Sequence, residues 1–191
     1  MKKHILILLA LSVMIFTAPL FADEYDFRKA KWGMSKEEVK HGESKEPISE
    51  GNNIFGYEDK VAGMECYIFY VFASNKLVRT RYYFIHKHSN RTDYINDYQS
   101  LQENLQKKYG QPIDDDRIWK NDLYKDDPSE WGMAVAIGHL IYQTQWTTDT
   151  TGILLHLSGD NYKIKLLIEY KSTQLHELEQ KAKETETMDA L

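Results

Sequence analysis

The sequence predicts an α+β protein made of two tandem helix-plus-antiparallel-sheet units, closed by a C-terminal helix. Two observations carry that expectation. Val78, Thr80, Tyr82 and Phe84 alternate with Arg79, Arg81, Tyr83 and Ile85, the period of two that marks a strand, and similar runs recur toward the C-terminus. A short helical signal precedes such runs before residue 90, and a longer one precedes them after it. The chain accordingly divides into residues 1–22, 23–90, 91–171 and 172–191.

The first of these segments reads as a secretory signal. Lys2 and Lys3 make a positive start, residues 5–16 are apolar apart from Ser12, and Leu20-Phe21-Ala22 precedes the acidic Asp23-Glu24. The alternative is an uncleaved anchor, because residues 5–22 number 18 and a spanning helix needs roughly 20. Pro19 and the small Ala22 favour cleavage near Ala22, which predicts a secreted or periplasmic product. No cysteine lies near that point, so the sequence offers no lipid-attachment site and no stable membrane anchor.

The next element is a short helix. Ser35 is placed to cap the amide of Glu38 while the Glu38 carboxylate reaches back, and Met34 and Val39 flank the cap as a hydrophobic staple. Gly42 and Pro47 keep it short. Residues 54–57 read as a brief strand. Residues 64–72 read as an apolar strand with Cys66, Ile68, Tyr70 and Phe72 on one side and Tyr67, Phe69 and Val71 on the other. Ser74-Asn75 turns this strand into residues 77–86, forming a hairpin.

The second unit opens on the longest helical signal, residues 92–109, where Tyr94, Tyr98, Leu101 and Leu105 share one stripe and Gly110 and Pro112 stop it. An acidic loop follows over residues 114–130, with an edge strand expected at 117–119. Strands are expected at 140–148, 152–157 and 162–170, the last two joined by a turn at Ser158-Gly159-Asp160-Asn161. A helix starting near Ser172 carries Leu175 and Leu178 and fades into a polar tail.

Charge narrows the function. Losing residues 1–22 removes two lysines from a chain with 24 basic and 29 acidic residues, leaving an excess of seven acids on 169 residues. Nucleic acid and anionic membrane surfaces both need a concentrated basic face, so neither is an expected partner. Cys66 is the only cysteine, which rules out an intramolecular disulfide and leaves stability to the core.

The candidates for chemistry each meet a plainer alternative. His86 and His88 have the spacing to face one way from a strand end and hold a metal, but no third ligand follows at a recognisable interval, and Lys87 and Arg91 repel cations. Asp114-Asp115-Asp116 and Asp126-Asp127 are acidic enough for calcium, yet they lack alternating oxygen ligands and a glycine turn. Cys66 sits in the most apolar run of the exported chain, where burial silences a thiol. Ser158-Gly159 lacks the flanking glycine of a nucleophile elbow. Trp-Gly-Met occurs at residues 32–34 and again at 131–133 with different flanks. No catalytic, metal-binding or cofactor-binding residue is assigned.

Phe27, Trp32-Gly33-Met34-Ser35 with Glu38-Val39, and Tyr109-Gly110-Gln111-Pro112 resemble the helix-start and helix-end signatures of small exported proteins of the β-lactamase-inhibitor-protein-like fold. The small lipoprotein of the outer-membrane assembly machinery is similar in unit fold. The resemblance implies helical segments packed on an antiparallel sheet, and a role in binding proteins rather than in catalysis. The chain departs from the family in lacking both the anchoring cysteine and the disulfides.

The expected function is therefore a non-enzymatic module that binds a protein or envelope component through a sheet face. Its candidate residues are Arg79, Arg81 and Tyr83 on one hairpin and, on a later strand, Gln143 and Gln145 or the side that carries Trp146. The alternative is an envelope or extracellular enzyme whose site is scattered in sequence.

Overall fold

The computed structural model describes residues 25–189, so the apolar leader at residues 1–22 lies outside the described residues. The first elements are helix α1 (Lys36–Gly42), strands β1 (Ser49–Glu50), β2 (Ile54–Val61), β3 (Met64–Ala73) and β4 (Lys76–Phe84), and helix α2 (Thr92–Tyr109). Strand β5 (Asp114–Trp119), a 3-10 turn (Pro128–Glu130), helix α3 (Trp131–Ala136), strands β6 (Leu140–Thr147), β7 (Thr151–Asp160) and β8 (Lys163–Ser172), and helix α4 (His176–Asp189) complete the chain. The eight strands form one antiparallel sheet in the order β1-β2-β3-β4-β8-β7-β6-β5. The class is α+β with a C-terminal helix.

Local chemistry explains the elements that the sequence announces. The Glu38 amide donates to Ser35 Oγ, and the Ser35 amide donates to Glu38 Oε2 at 2.7 Å, which completes a capping box on α1. Helix α2 buries Ile95, Tyr98, Leu101 and Leu105 and ends where Gly110 takes φ +82°. The tight hairpins turn at Ala62-Gly63, Ser74-Asn75 and Asn161-Tyr162, each a pair of left-handed residues that matches the twist of the flanking strands.

Helices α1, α2 and α3 all pack on the same face of the sheet, and this face holds the core. Phe27, from the segment before α1, places its ring 5.0–5.7 Å from those of Tyr70, Tyr82 and Tyr170, and so seals the junction of β3, β4 and β8. Leu140, Tyr142 and Trp146 of β6 and Ile153, Leu155 and Leu157 of β7 extend the core beneath α2 and α3.

The structure adds β1 and α3, which the sequence does not announce, extends β2 beyond residue 57, and shifts three further elements. The β7–β8 turn falls two residues later than Ser158-Gly159-Asp160-Asn161 suggests, because Ser158, Gly159 and Asp160 are paired with Lys165, Ile164 and Lys163. Gly159 is there for close approach: a Cβ on it would stand 2.3 Å from the Val135 carbonyl oxygen of α3. The edge strand begins at Asp114, since Asp115 accepts a 2.8 Å hydrogen bond from Thr144 Oγ1 and Asp114 pairs with Gln145. Helix α4 starts at His176 and continues through the polar tail to Asp189.

Replacing Gly159 by Ala should overpack the α3–β7 contact and cost about 1–3 kcal/mol, read as a lowered urea midpoint at unchanged slope. Gly152→Ala is the control, because a Cβ there meets nothing nearer than 4.0 Å. Equal midpoints for the two variants would refute the packing argument.

Candidate functional site: the open face of the sheet

Antiparallel strands alternate their side chains, so the sheet has a second face made of the residues between those of the core. In register across it lies a row of Gln143, His156, Leu167, Tyr83, Tyr67 and Glu58. The next row holds Gln145, Leu154, Glu169, Arg81 and Phe69. Apart from the exposed Glu58, these side chains are half-buried by one another rather than covered by a further layer. Among the described residues only α4 crosses this face, over the corner formed by Ile54, Phe69, Val71 and Arg79.

The candidate residues are placed as follows. Arg79, Arg81, Tyr83, Gln143 and Gln145 all point to the open face, spread over β4 and β6 with β8 and β7 between them. Trp146 does not. It is 2% exposed on the core face and donates from Nε1 to the Gly110 carbonyl at 3.0 Å. The alternation of β6 decides this, because Tyr142 and Thr144 point to the core and Trp146 follows them. Leu154, His156 and Leu167 belong to the same surface, and the periodicity of β8 already set Leu167 on the side of Lys163 and Glu169. The double leucine at 154–155 hides the choice of face in β7, which the register with β8 reveals.

Charges on this face are paired locally. Arg81 Nε donates to Glu169 Oε2 at 3.1 Å, and Arg79 donates to the same oxygen at 3.2 Å. Arg79 also binds Glu179 of α4, which lies 3.0 Å from Lys183 and is 4% exposed. The helix is thus pinned to the sheet by an ion-pair chain. Leu154, Leu167, Tyr67, Phe69 and Tyr83 occupy the space between the paired charges, an apolar and aromatic centre within a polar frame.

His156 stands inside that centre with Nδ1 buried and without a hydrogen-bond partner among the described residues. Burial holds its pKa below the usual imidazole value, and the nearby Glu169 offsets this in part. The unfolded chain therefore takes up the proton first. Stability is full at neutral pH and should fall as pH drops below about 6.5 toward the lowered folded-state value. Thermal melts of His156→Gln between pH 7 and 5 should show a smaller decline than the wild type. An identical decline would assign the acid sensitivity to other groups.

The remaining candidates resolve into structure. His88 Nε2 lies 2.6 Å from Asp97 Oδ2, and its ring packs on Tyr94 and His86. Among the described residues no three His, Cys, Asp or Glu side chains converge as metal ligands. Asp127 caps the 3-10 turn through the Ser129 amide. The two Trp-Gly-Met segments have different tasks: Trp32 Nε1 donates to Thr151 Oγ1 at 2.8 Å, whereas Trp131 opens α3 and donates to the Lys125 carbonyl.

Cys66 is 0% exposed, and burial pushes its thiol up to about 11. It should stay unreactive to a thiol reagent at pH 8 in the folded protein and react with one equivalent in denaturant. Rapid labelling of the folded chain would contradict its place in the core.

A cavity of about 410 Å³ lies on the helix side among Tyr82, Tyr109, Tyr170, Arg28, Asp26 and Thr150. Several of its polar groups are already engaged: Asp26 accepts from Thr150 Oγ1 within it and from the Trp32 amide, and Arg28 binds Glu43 and Asp59 outside it. No helix of the described residues is long and apolar enough to cross a membrane. No protein-family model, curated protein or solved structure matches the chain.

Proposed function

We propose that the chain is an exported, non-enzymatic binding module that recognises a protein or envelope component through the open face of its sheet. The observation that carries this reading is the asymmetry of the sheet. Three helices cover one face, while the other leaves Tyr67, Phe69, Tyr83, Leu154 and Leu167 half-exposed side by side. Large apolar and aromatic side chains set among arginines have the composition of a protein-binding centre. The reading also rests on the signal-like residues 1–22 and on the likeness of the helix signatures to exported binding proteins.

Site-specific photo-crosslinking tests it. With a benzoylphenylalanine at Tyr83, irradiated cells should yield a discrete adduct; with the same group at Gln99, exposed on α2 on the opposite side, they should not. Leu167→Ala should weaken capture of that partner by about 1–2 kcal/mol, a factor of roughly 5–30, with the fold unchanged by circular dichroism. Identical adducts from both positions, or none from either, would reject the proposal.

A further inference from the structure

The β4–β8 pairing ends at Phe84 and Leu166. Beyond that pair the two strands part, β4 running into Ile85-His86-Lys87-His88 and β8 arriving from the Asn161-Tyr162 turn. The gap is a cleft of about 630 Å³ at the end of the seam, and it opens onto Tyr67 and Tyr83 of the face described above.

Its chemistry is one-sided. Lys87, Lys163, His86, Tyr67, Tyr83 and Tyr162 supply ammonium groups, an imidazole and phenol hydroxyls, and no carboxylate is among the lining residues. Among the described residues, nothing accepts from the Lys87 or Lys163 ammonium or from the hydroxyls of Tyr67, Tyr83 or Tyr162. The nearest acids lie at its border: Asp97 is bound by His88 of the cleft wall, Asp160 stands across the hairpin from Lys163 without an ion pair to it, and Asp93 accepts from Asn96. Arg91 stacks 5.6 Å above the Tyr162 ring and brings a further positive charge to the rim. A chain with a net charge of −5 thus keeps unpaired cations and free donors in one cleft.

We infer that this cleft receives an acidic side chain of a protein partner whose adjoining apolar residue lies on Tyr67, Tyr83 and Leu167. The inference rests on the binding reading and names the chemistry of the partner. Cross-strand neighbours such as Tyr67 and Tyr83 stand about 5 Å apart, so the apolar row and the cationic cleft lie within the reach of consecutive residues of one peptide. An anionic glycan matches the cations but not the apolar row. The net negative charge repels a long polyanion, whereas a short acidic segment meets only the local field.

Amide-shift titrations of the labelled chain provide the test. The probes are an acetylated Glu-Leu-Glu-Leu-Glu peptide, its Lys-Leu counterpart, sodium phosphate and polygalacturonate. The acidic peptide should move the amides of Tyr67, Tyr83, Lys87 and Lys163 saturably, and the basic peptide should not. Lys87→Glu/Lys163→Glu should reduce affinity at least tenfold. If that variant fails to give a folded spectrum, Lys87→Gln/Lys163→Gln decides, with a loss of about threefold.

Unchanged affinity in the folded double variant would overturn the inference. So would phosphate acting as strongly as the peptide, which marks a simple anion site, or a preference for polygalacturonate, which marks a glycan site. A crosslink from Tyr83 with no acidic-peptide binding removes the cleft's role and leaves the binding face. Peptide binding with no crosslink does the reverse.

Discussion

The six residue pairs from Arg79↔Lys171 to Phe84↔Leu166, which join β4 to β8, turn two four-stranded halves into one sheet. They bring together segments more than 80 residues apart in sequence. Such a contact has a large loop-closure cost and must be rewarded by what it buries. The reward on the core face is the set of rings of Tyr82, Tyr170 and Phe27. On the other face the same pairing places Arg81 beside Glu169 and Tyr83 beside Leu167. A slip of one residue would exchange these sets and put Arg81 and Glu169 under the helices, so the register is strongly specified.

Tyrosine serves both faces, and its surroundings decide how. On the core side Tyr98 is hydrogen-bonded to Thr144, Tyr70 donates to Glu43, and burial raises the pKa of Tyr82 to about 12. Tyr98 and Tyr70 are thus held within a packed layer, while the buried Tyr57 and Tyr142 hydroxyls have no partner among the described residues. On the open side Tyr67 and Tyr83 have the same alternation and the same β-strand setting, yet their hydroxyls have no partner among the described residues. Helix α4 does not change this balance. It is fastened through Arg79, Glu179 and Lys183, and a buried ion pair orients an element more than it stabilises it. The helix therefore marks one corner and leaves the centre of the face uncovered.

Much of this was legible in the chain because local periodicity and capping agree with the fold. The Ser35 box, the stripe on α2, the left-handed Ser74-Asn75 turn and the alternation of β3 and β4 are all decided by near neighbours. Where distant contacts decide, the sequence misleads. Gly159 has the look of a turn residue but is a spacer for α3, and the acidic residues at 114–116 look like loop but pair with β6. Of the candidate face, the alternation of β4 is readable from period two, which sets Arg79, Arg81 and Tyr83 on one side. On β6 the period alone does not choose between the Gln143 and Gln145 side and the Tyr142, Thr144 and Trp146 side, because aromatic residues suit a core as well as a binding surface, and the packing beneath α2 selects the core for Trp146. Of the cleft at the end of the seam the sequence offers only the His86-Lys87-His88 segment, because Lys163 at the start of β8 meets it only after β4 and β8 pair.

An open sheet invites two kinds of partner, one that adds a strand at an edge and one that lies on a face. The edges here resist the first. Strand β1 offers only Ser49 and Glu50, and β5 presents Asp114, Asp115 and Asp116 in succession, so a second copy aligned along β5 would set like charges against each other. The face is built the other way: its arginines are neutralised by Glu169 of β8 and Glu179 of α4, and its centre is aromatic and aliphatic. Association by edge pairing is thus penalised while burial of the centre is rewarded. This difference between edge and face favours a partner that covers Tyr83 and Leu167 over one that extends the sheet.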